Sequence, residues 1–410
     1  MIIYILPLMF FAVTTSLNSP AMLFRSSLLA ILPVLILIRH PLNFKNYKFI
    51  SVIFLFILLT YIVSWQINGQ SLGNFLFGAY NRNMGILALL GLFLLTLESA
   101  EYFSKFTQKL TKVFYAITII SIIYGTIQVL GQDPIPWEKG AGFGLTLGNP
   151  NFSSSLLGIL SVIPLSYVLN WEKPYRYLHL YVYVALLVLI LLSNSSQGFI
   201  LYILNLIFYI YLRFDLLHKF LEIKRRYKVS SILGILLIML FLVLNKNFIS
   251  FLNSTLQVNH RFEHWKMGYR IWRDHVFFGV GIENISRFSG EYRSETIRSW
   301  GQYTHPDKIH NLLIDNFVTG GIFVGFAWIV FIAYTFFVIG KLLKATNLHS
   351  RKMSIFILIS IWITYLVQTL FSTDHMYLMT IGMLAAGALI GIYTYEVKSL
   401  VRNNFAKIPN

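Results

Sequence analysis

The chain of 410 residues contains no cysteine, so disulfides, thiolate nucleophiles and cysteine-held metal centres are excluded. It is also poor in charge: 12% of its residues are Asp, Glu, Lys or Arg, where a soluble globular protein carries roughly 25%. With 56% hydrophobic residues, that shortage excludes a single soluble core. Acids are the scarcer sign, 16 against 33 Lys and Arg, which leaves a formal net charge of +17. Such an excess in a soluble protein points to nucleic acid. Here no zinc-finger spacing, RNP-like aromatic motif or basic helical repeat accompanies it, and no nucleic-acid partner is expected. Internal repeats and low-complexity tracts are lacking as well.

What the chain has in abundance is long apolar runs. Because about 20 apolar residues cross a bilayer, the sequence predicts an all-α, polytopic membrane protein. Its transmembrane helices, about twelve by the same length rule, are expected over 2–17, 21–38, 49–66, 80–97, 110–130, 152–170, 177–193, 198–214, 230–246, 311–340, 354–371 and 376–395. The first run is short and competes with a cleaved signal peptide, but it has no basic residue before it and no small-x-small cleavage site, so it is read as a helix. The loops test the count. Alternate connections carry Arg39, Lys45 and Lys48; Lys105, Lys109 and Lys112; Lys173 and Arg176; Lys219, Lys224, Arg225, Arg226 and Lys228; and Lys341, Lys344, Arg351 and Lys352. All fall on one side by parity, which the positive-inside bias makes cytoplasmic, and both termini fall there too. The expected divisions are 1–246 with the first nine helices, a long external loop over 247–310, and 311–410 with the last three helices and a cytoplasmic tail.

That external loop holds His260, His264, His275, His305 and His310, together with Glu263, Asp274, Glu283, Glu291, Glu295 and Asp307. Titratable residues are concentrated there, and so is the expected chemistry. From Asn259 to His275 the sequence NHRFEHWKMGYRIWRDH is amphipathic at helical spacing. Lys266, Arg270 and Arg273 form one stripe; Arg261, Trp265 and Trp272 form another, with Tyr269 beside it. Such a helix lies at the membrane interface with its cations toward phosphates. Lys266, Arg270 and Arg273 read as simple anchors or as phosphate contacts, whereas Arg261 shares the aromatic face and is expected to point into the bundle. The following FFGVGIENIS is read as a turn, since its lone Gly-x-Gly lacks the strand-to-helix context of a phosphate loop. His305 to Gly325 opens the tenth helix, with Pro306 and Asp307 suited to its first turn. His310 would then sit one turn inside the membrane surface beside Asn311, where an ionisable residue marks a functional site; a structural histidine bonded to a loop carbonyl is the alternative. His260 and His264 stand at i, i+4 but give only two metal ligands, too few to close a zinc site. Asn149, and the Asn81 to Asn83 stretch, read equally as helix caps or as anion and sugar contacts.

Several segments, in order, resemble one family. They are Gly78–Gly85 (GAYNRNMG), Gly148–Asn151 (GNPN), Ser193–Gly198 (SNSSQG), Arg261–Trp265 with the downstream Gly279–Gly281, and His310–Gly325 (HNLLIDNFVTGGIFVG). Together they are similar to the O-antigen ligase and O-antigen polymerase superfamily, whose relatives include bacterial protein O-oligosaccharyltransferases. The resemblance implies transfer of a glycan from an undecaprenyl-pyrophosphate carrier to an acceptor hydroxyl on the outer face of the bacterial inner membrane, without metal, cofactor or nucleotide sugar. Ligase-type transfer is favoured over polymerisation. The implied partners are the lipid-linked donor, a glycan or lipid-glycan acceptor and membrane lipids. His310 would be the catalytic histidine and Arg261 a pyrophosphate-binding arginine. One departure stands out: many relatives carry an arginine in the motif matching Ser195–Gly198, and Gln197 stands near that place. Arg82 or Arg270 is therefore expected to compensate.

The chemistry explains those residue types. Breaking a sugar to pyrophosphate bond adds charge to an anionic leaving group, which a bidentate, always-charged guanidinium suits best. The acceptor hydroxyl needs a base that is neutral near pH 7, which is histidine's range. Asp307, expected one turn before His310 on the same helix, could orient that ring or hold the arginines; helix capping is its other reading. A flippase or transporter of a lipid-linked glycan is the rival, but such proteins show repeated halves and helices broken at midplane, and neither is visible in the sequence. A purely structural role is disfavoured by the histidine-rich loop.

Overall fold

Lipid offers a backbone N–H or C=O no partner outside its own segment, so apolar runs of this length fold as helices. The computed structural model describes residues 29–31, 34, 44–79, 82–135, 143–170, 175–214, 258–301, 306–345 and 351–397. Among these, nine helical segments are long and apolar enough to cross a membrane: Lys48–Asn68, Ile86–Phe103, Thr107–Val129, Pro150–Asn170, Tyr175–Leu192, Ser196–Arg213, Leu312–Lys344, Lys352–Phe371 and Met376–Tyr395. Each overlaps an expected span. The expected spans 2–17 and 230–246 lie outside the described residues, as does nearly all of 21–38. The chain is an all-α, multi-pass membrane protein.

The bundle is built around Met376–Ile392, which is buried on every side and packs against Lys352–Phe371 and Ile86–Glu98. Peripheral helices keep one face for the bundle. In Lys48–Asn68, Ile50, Phe54, Ile57, Tyr61 and Ser64 are buried, while Val52, Leu55, Phe56, Leu59 and Ile62 are exposed and suited to lipid.

The helix Leu312–Lys344 is broken, contrary to the sequence reading, which shows no interrupted helix. At Gly321 the backbone turns to φ 67°, ψ −165°, a region essentially reserved for glycine. The chain between Val276 and Gly281 fills the break. Ile322 N–H donates to the Val276 carbonyl (2.8 Å), Val280 N–H to Val318 (2.9 Å) and Gly281 N–H to Thr319 (2.9 Å). The approach is so close that a Cβ on Gly279 would stand 2.5 Å from the Val318 oxygen. The Gly-x-Gly stretch is a turn, as expected, and its use is to dock backbone on backbone.

Before that turn comes the amphipathic helix, Val258–Asp274, and after it the short helices Ile285–Tyr292 and Glu295–Ser299. Met267, Ile271, Val280, Ile285, Ile297, Ile309 and Val318 form a small apolar cluster of their own that joins these pieces to the start of Leu312–Lys344. The end of Lys48–Asn68 holds the other side. Asn68 Nδ2 donates to the Gly279 carbonyl (3.0 Å), Gln70 Nε2 to Ile282 (2.8 Å) and an Arg287 NH group to the Asn68 carbonyl (3.0 Å). One end of the bundle thus carries a layer fixed by main-chain contacts from several directions.

Candidate active site

The helix expected to open near Pro306 opens instead at Leu312. Asn311 is its cap: Oδ1 accepts from the N–H groups of Leu313 (3.0 Å) and Ile314 (3.1 Å), and Nδ2 donates to the Leu370 carbonyl (3.0 Å). His310 has a left-handed backbone, φ 59°, which ends any helical continuation toward Pro306. His310 and Asp307 therefore lie in a loop and do not share a helical turn. Asp307 is not the cap of that helix; it takes Arg82 in a fork, Arg82 Nε to Oδ2 at 2.7 Å and Nη2 to Oδ1 at 3.1 Å. Arg82 is in a turn ahead of the helix that starts at Ile86, six residues later than expected from a start at 80.

The His310 ring stacks on His264, with centroids 4.9 Å apart and planes 22° apart. His264 meets the edge of Trp300, and His260 stacks flat on Trp300 at 4.1 Å. The two histidines at i, i+4 thus converge on an indole. One turn before His264, Arg261 is half-buried, and one of its NH groups is buried with no hydrogen-bond partner among the described residues. Burial, then the charges of His264, Arg261 and Arg82, push the His310 imidazole down to about 3, with Asp307 pulling the other way. Burial, then His260, lowers His264 to about 4. Both rings are neutral at pH 7. Burial alone would raise the Asp307 carboxyl, but the hydrogen bond and charge of Arg82 outweigh it and hold the group below its usual range.

Beside this pair lies a buried ionic hub. Lys308 Nζ is 3.4 Å from Glu283 and 3.3 Å from Asp374, and the Lys308 and Glu283 side chains are only 8% and 2% exposed. Burial disfavours the ammonium, yet Asp374, Glu283 and Asp315 outweigh it and hold Lys308 protonated well above its ordinary range. The other Glu283 oxygen accepts from the N–H groups of Ala79 (2.9 Å) and Met84 (3.1 Å), which bracket Arg82. Asp315 accepts from Ile309 N–H at 2.8 Å. A cavity of about 40 Å³ adjoins, lined by Glu283, Lys308, Asp315, Asp374, Tyr61 and Asn316 among others. Five described non-glycine residues have positive φ, and three of them, Asn83, Glu283 and His310, are in this layer. Left-handed backbone of this kind concentrates where surrounding contacts over-determine it, as at active sites.

Residues 180–329 match the family model described as O-antigen ligase. Over that stretch the chain is similar to the O-antigen ligase family. No curated protein matches it. The family carries glycan transfer of the ligase type in its general form. The matched stretch, about a third of the chain, includes Gln197, Arg261, His264, Glu283, Asp307, Lys308 and His310. Arg82, Asn149 and Asp374 lie outside it, and the fold brings Arg82 and Asp374 to it.

The other expected residues sit as follows. Arg270 donates from Nε to the Lys266 carbonyl (3.3 Å), and its charge bears on Glu263. Lys266 pairs with Glu263 and Arg273 with Asp274, both on the exposed face. Asn149 caps the helix beginning at Pro150 by accepting from Asn151 N–H at 2.8 Å. Gln197 accepts from the Ser155 hydroxyl at 3.4 Å, and Ser195 links the two motifs by donating to Asn151 (2.8 Å) and accepting from Ser154 (2.9 Å). The GNPN and SNSSQG motifs are one polar seam between two helices. Its Phe152 ring lies 4.5 Å from His375, the neighbour of Asp374. No contact joins Gln197 or Asn149 to His310 among the described residues. The hub of Lys308, Asp315 and Asp374 was missed in the sequence. Its signal is an acid one turn inside an apolar span and another between two spans, since such acids are costly without a partner.

Proposed function

We propose that the chain transfers a glycan from an undecaprenyl-pyrophosphate carrier to a hydroxyl of a glycan or lipid-glycan acceptor, on the outer face of the bacterial inner membrane, with His310 as the general base. The observation that carries this is the His310 ring itself, set on a left-handed residue within the family-matched stretch, stacked on His264 and lying in the field of Arg261 and Arg82. In the reaction the acceptor oxygen attacks the anomeric carbon and its proton passes to a ring nitrogen of His310. The bond from the anomeric carbon to the pyrophosphate oxygen breaks, its electron pair stays on the pyrophosphate, and configuration inverts. Arg261 takes the leaving group: its NH without a partner among the described residues is a preorganised donor in a low-dielectric setting, where such donors act most strongly.

Burial above all, and the same cations after it, weaken His310 as a base when the site holds no anion. A pyrophosphate seated on Arg261 offsets the part of the shift that comes from the cations and raises the affinity of the ring for a proton, so the base gains strength when the donor is in place. Asp307 acts on this chemistry through Arg82, which it holds in a fixed fork. The break at Gly321 is a feature that transporters also use, but here main chain seals it through three hydrogen bonds, which favours a fixed scaffold over a moving gate.

His310→Ala tests the reading. With purified protein, a defined undecaprenyl-pyrophosphate glycan and a panel of acceptors, the variant should insert and fold like the wild type and lose transfer. Near wild-type turnover removes His310 from the mechanism. Relocation of the donor between leaflets with no new glycosidic linkage would establish the flippase instead.

A further inference from the structure

The motifs that meet at this end of the bundle come from distant parts of the chain, and one side chain joins them. Glu283 ties down the turn that carries Arg82, through the amides of Ala79 and Met84. Asp374 is on the connection leading to His375, whose ring packs on Phe152. Asp315 holds the amide of Ile309, the residue immediately before His310. Lys308 is the cation common to Glu283 and Asp374, and the charge of Asp315 bears on it as well. A lysine suits the position because an ammonium has three donors that can be shared among carboxylates approaching from different directions, where a planar guanidinium imposes one fork. It is too deeply buried to serve an exposed substrate: its side chain is 8% exposed, and two carboxylates stand within 3.4 Å.

We propose that Lys308 is a positioning residue, the hub that locks the His310 loop to the Arg82 turn and so fixes the base relative to the cations around it. This rests on the transferase reading for its effect on turnover, but the mechanical linkage stands apart from it. Without the ammonium, three carboxylates share one buried space; they separate or take up protons, Glu283 loses its anchor, and the Gly78–Gly85 turn and the 306–312 loop loosen together although about 220 residues lie between them. Displacement of a base by about 1 Å costs on the order of 100-fold in rate, and the expected loss for Lys308→Met is about 10- to 100-fold in kcat. The donor KM should be nearly unchanged, since Arg261 is not part of the hub.

Amide hydrogen exchange on the full chain in lipid nanodiscs reads the linkage directly. Lys308→Met should speed exchange by at least about 10-fold in both 306–312 and 78–85. Faster exchange confined to 306–312, or unchanged in both, overturns the proposal, because a lysine that only stabilises its own loop would give that result. Glu283→Gln, which keeps a side chain able to accept from Ala79 and Met84, is the second variant and decides the matter if Lys308→Met does not fold. It should show the same paired loosening to a smaller extent, and no change in 306–312 refutes the hub. The double variant should turn over no more slowly than Lys308→Met, while additive losses would mean two unrelated roles. A wild type with no transferase activity would sink the transferase reading and leave the exchange result to judge the hub alone.

Discussion

Replacing Gly321 by alanine tests how the scaffold is held. A methyl there would overlap the carbonyl of Phe277 and stand 2.6 Å from the Phe278 nitrogen, both main-chain groups that cannot rotate aside. The backbone angles, φ 67° and ψ −165°, cost a non-glycine residue about 1 to 3 kcal/mol before any clash is counted. Relieving the clash means moving the Val276–Gly281 chain outward, which breaks the three hydrogen bonds across the gap, each worth about 1 kcal/mol net. The total is about 5 kcal/mol, in the range reserved for named structural faults. The consequence reaches the site because the same chain leads into Glu283, and Glu283 anchors the turn bearing Arg82. Gly340→Ala, in the same helix with nothing within 4 Å of the added carbon, is the control and should be neutral or stabilising by up to about 1 kcal/mol. Thermal unfolding of both proteins in the same detergent, followed by transfer assays on the folded fraction, gives the comparison. Equal transition temperatures for the two variants would refute the account of the break.

Other outcomes follow from the charges. His310 and His264 are held neutral well below the ordinary histidine value of about 6.5. The unfolded chain therefore binds more protons than the fold between about 6.5 and 3 for His310, and between about 6.5 and 4 for His264. Stability should be fully present above pH 6.5 and fall as pH drops through that window, by up to about 1.4 kcal/mol per unit for each ring. His310→Gln should flatten the slope, and an unaltered slope would place the ring elsewhere. Arg261→Lys keeps the charge and loses the fork, and turnover should fall by about 100- to 1000-fold. Arg82→Lys should cost less, about 10- to 100-fold in kcat through a loosened Asp307, with donor KM the more stable parameter; initial rates over a donor titration separate the two.

The nine spans among the described residues were legible in the sequence because a bilayer demands about 20 apolar residues and little else satisfies that demand. The amphipathic helix was legible too, to within one residue at each end: its cation and aromatic stripes leave only Met267, Gly268 and Ile271 facing inward as buried residues. Helix starts were harder. Pro306, Asp307 and Asn311 are all good N-terminal signals, and the competition was decided by Asn311, which satisfies two amides of its own helix and a carbonyl of the next, while Asp307 was drawn to Arg82, 225 residues away. No local pattern reports a partner at that separation. The Thr319-Gly320-Gly321 stretch likewise carries no local mark of a break, and it is the approach of the Val276–Gly281 chain that makes one.

The placement of the cations reorders what the missing arginine at Gln197 means. Arg82 was expected to stand in for it, yet Asp307 already occupies its fork at 2.7 Å, so an arriving phosphate must compete with a carboxylate that is itself held ionised. Arg270 leans toward Glu263, and Lys308 is enclosed by acids. Of these cations, Arg261 alone presents a buried NH with no partner among the described residues. An unsatisfied donor on a buried charge is costly to keep, and under the proposed function it is the place a dianionic group would fill. With a neutral amide at 197 bonded to Ser155, the proposed transfer would rest its pyrophosphate on one principal guanidinium, with the second as the clamp that keeps Asp307, and with it the His310 loop, in register.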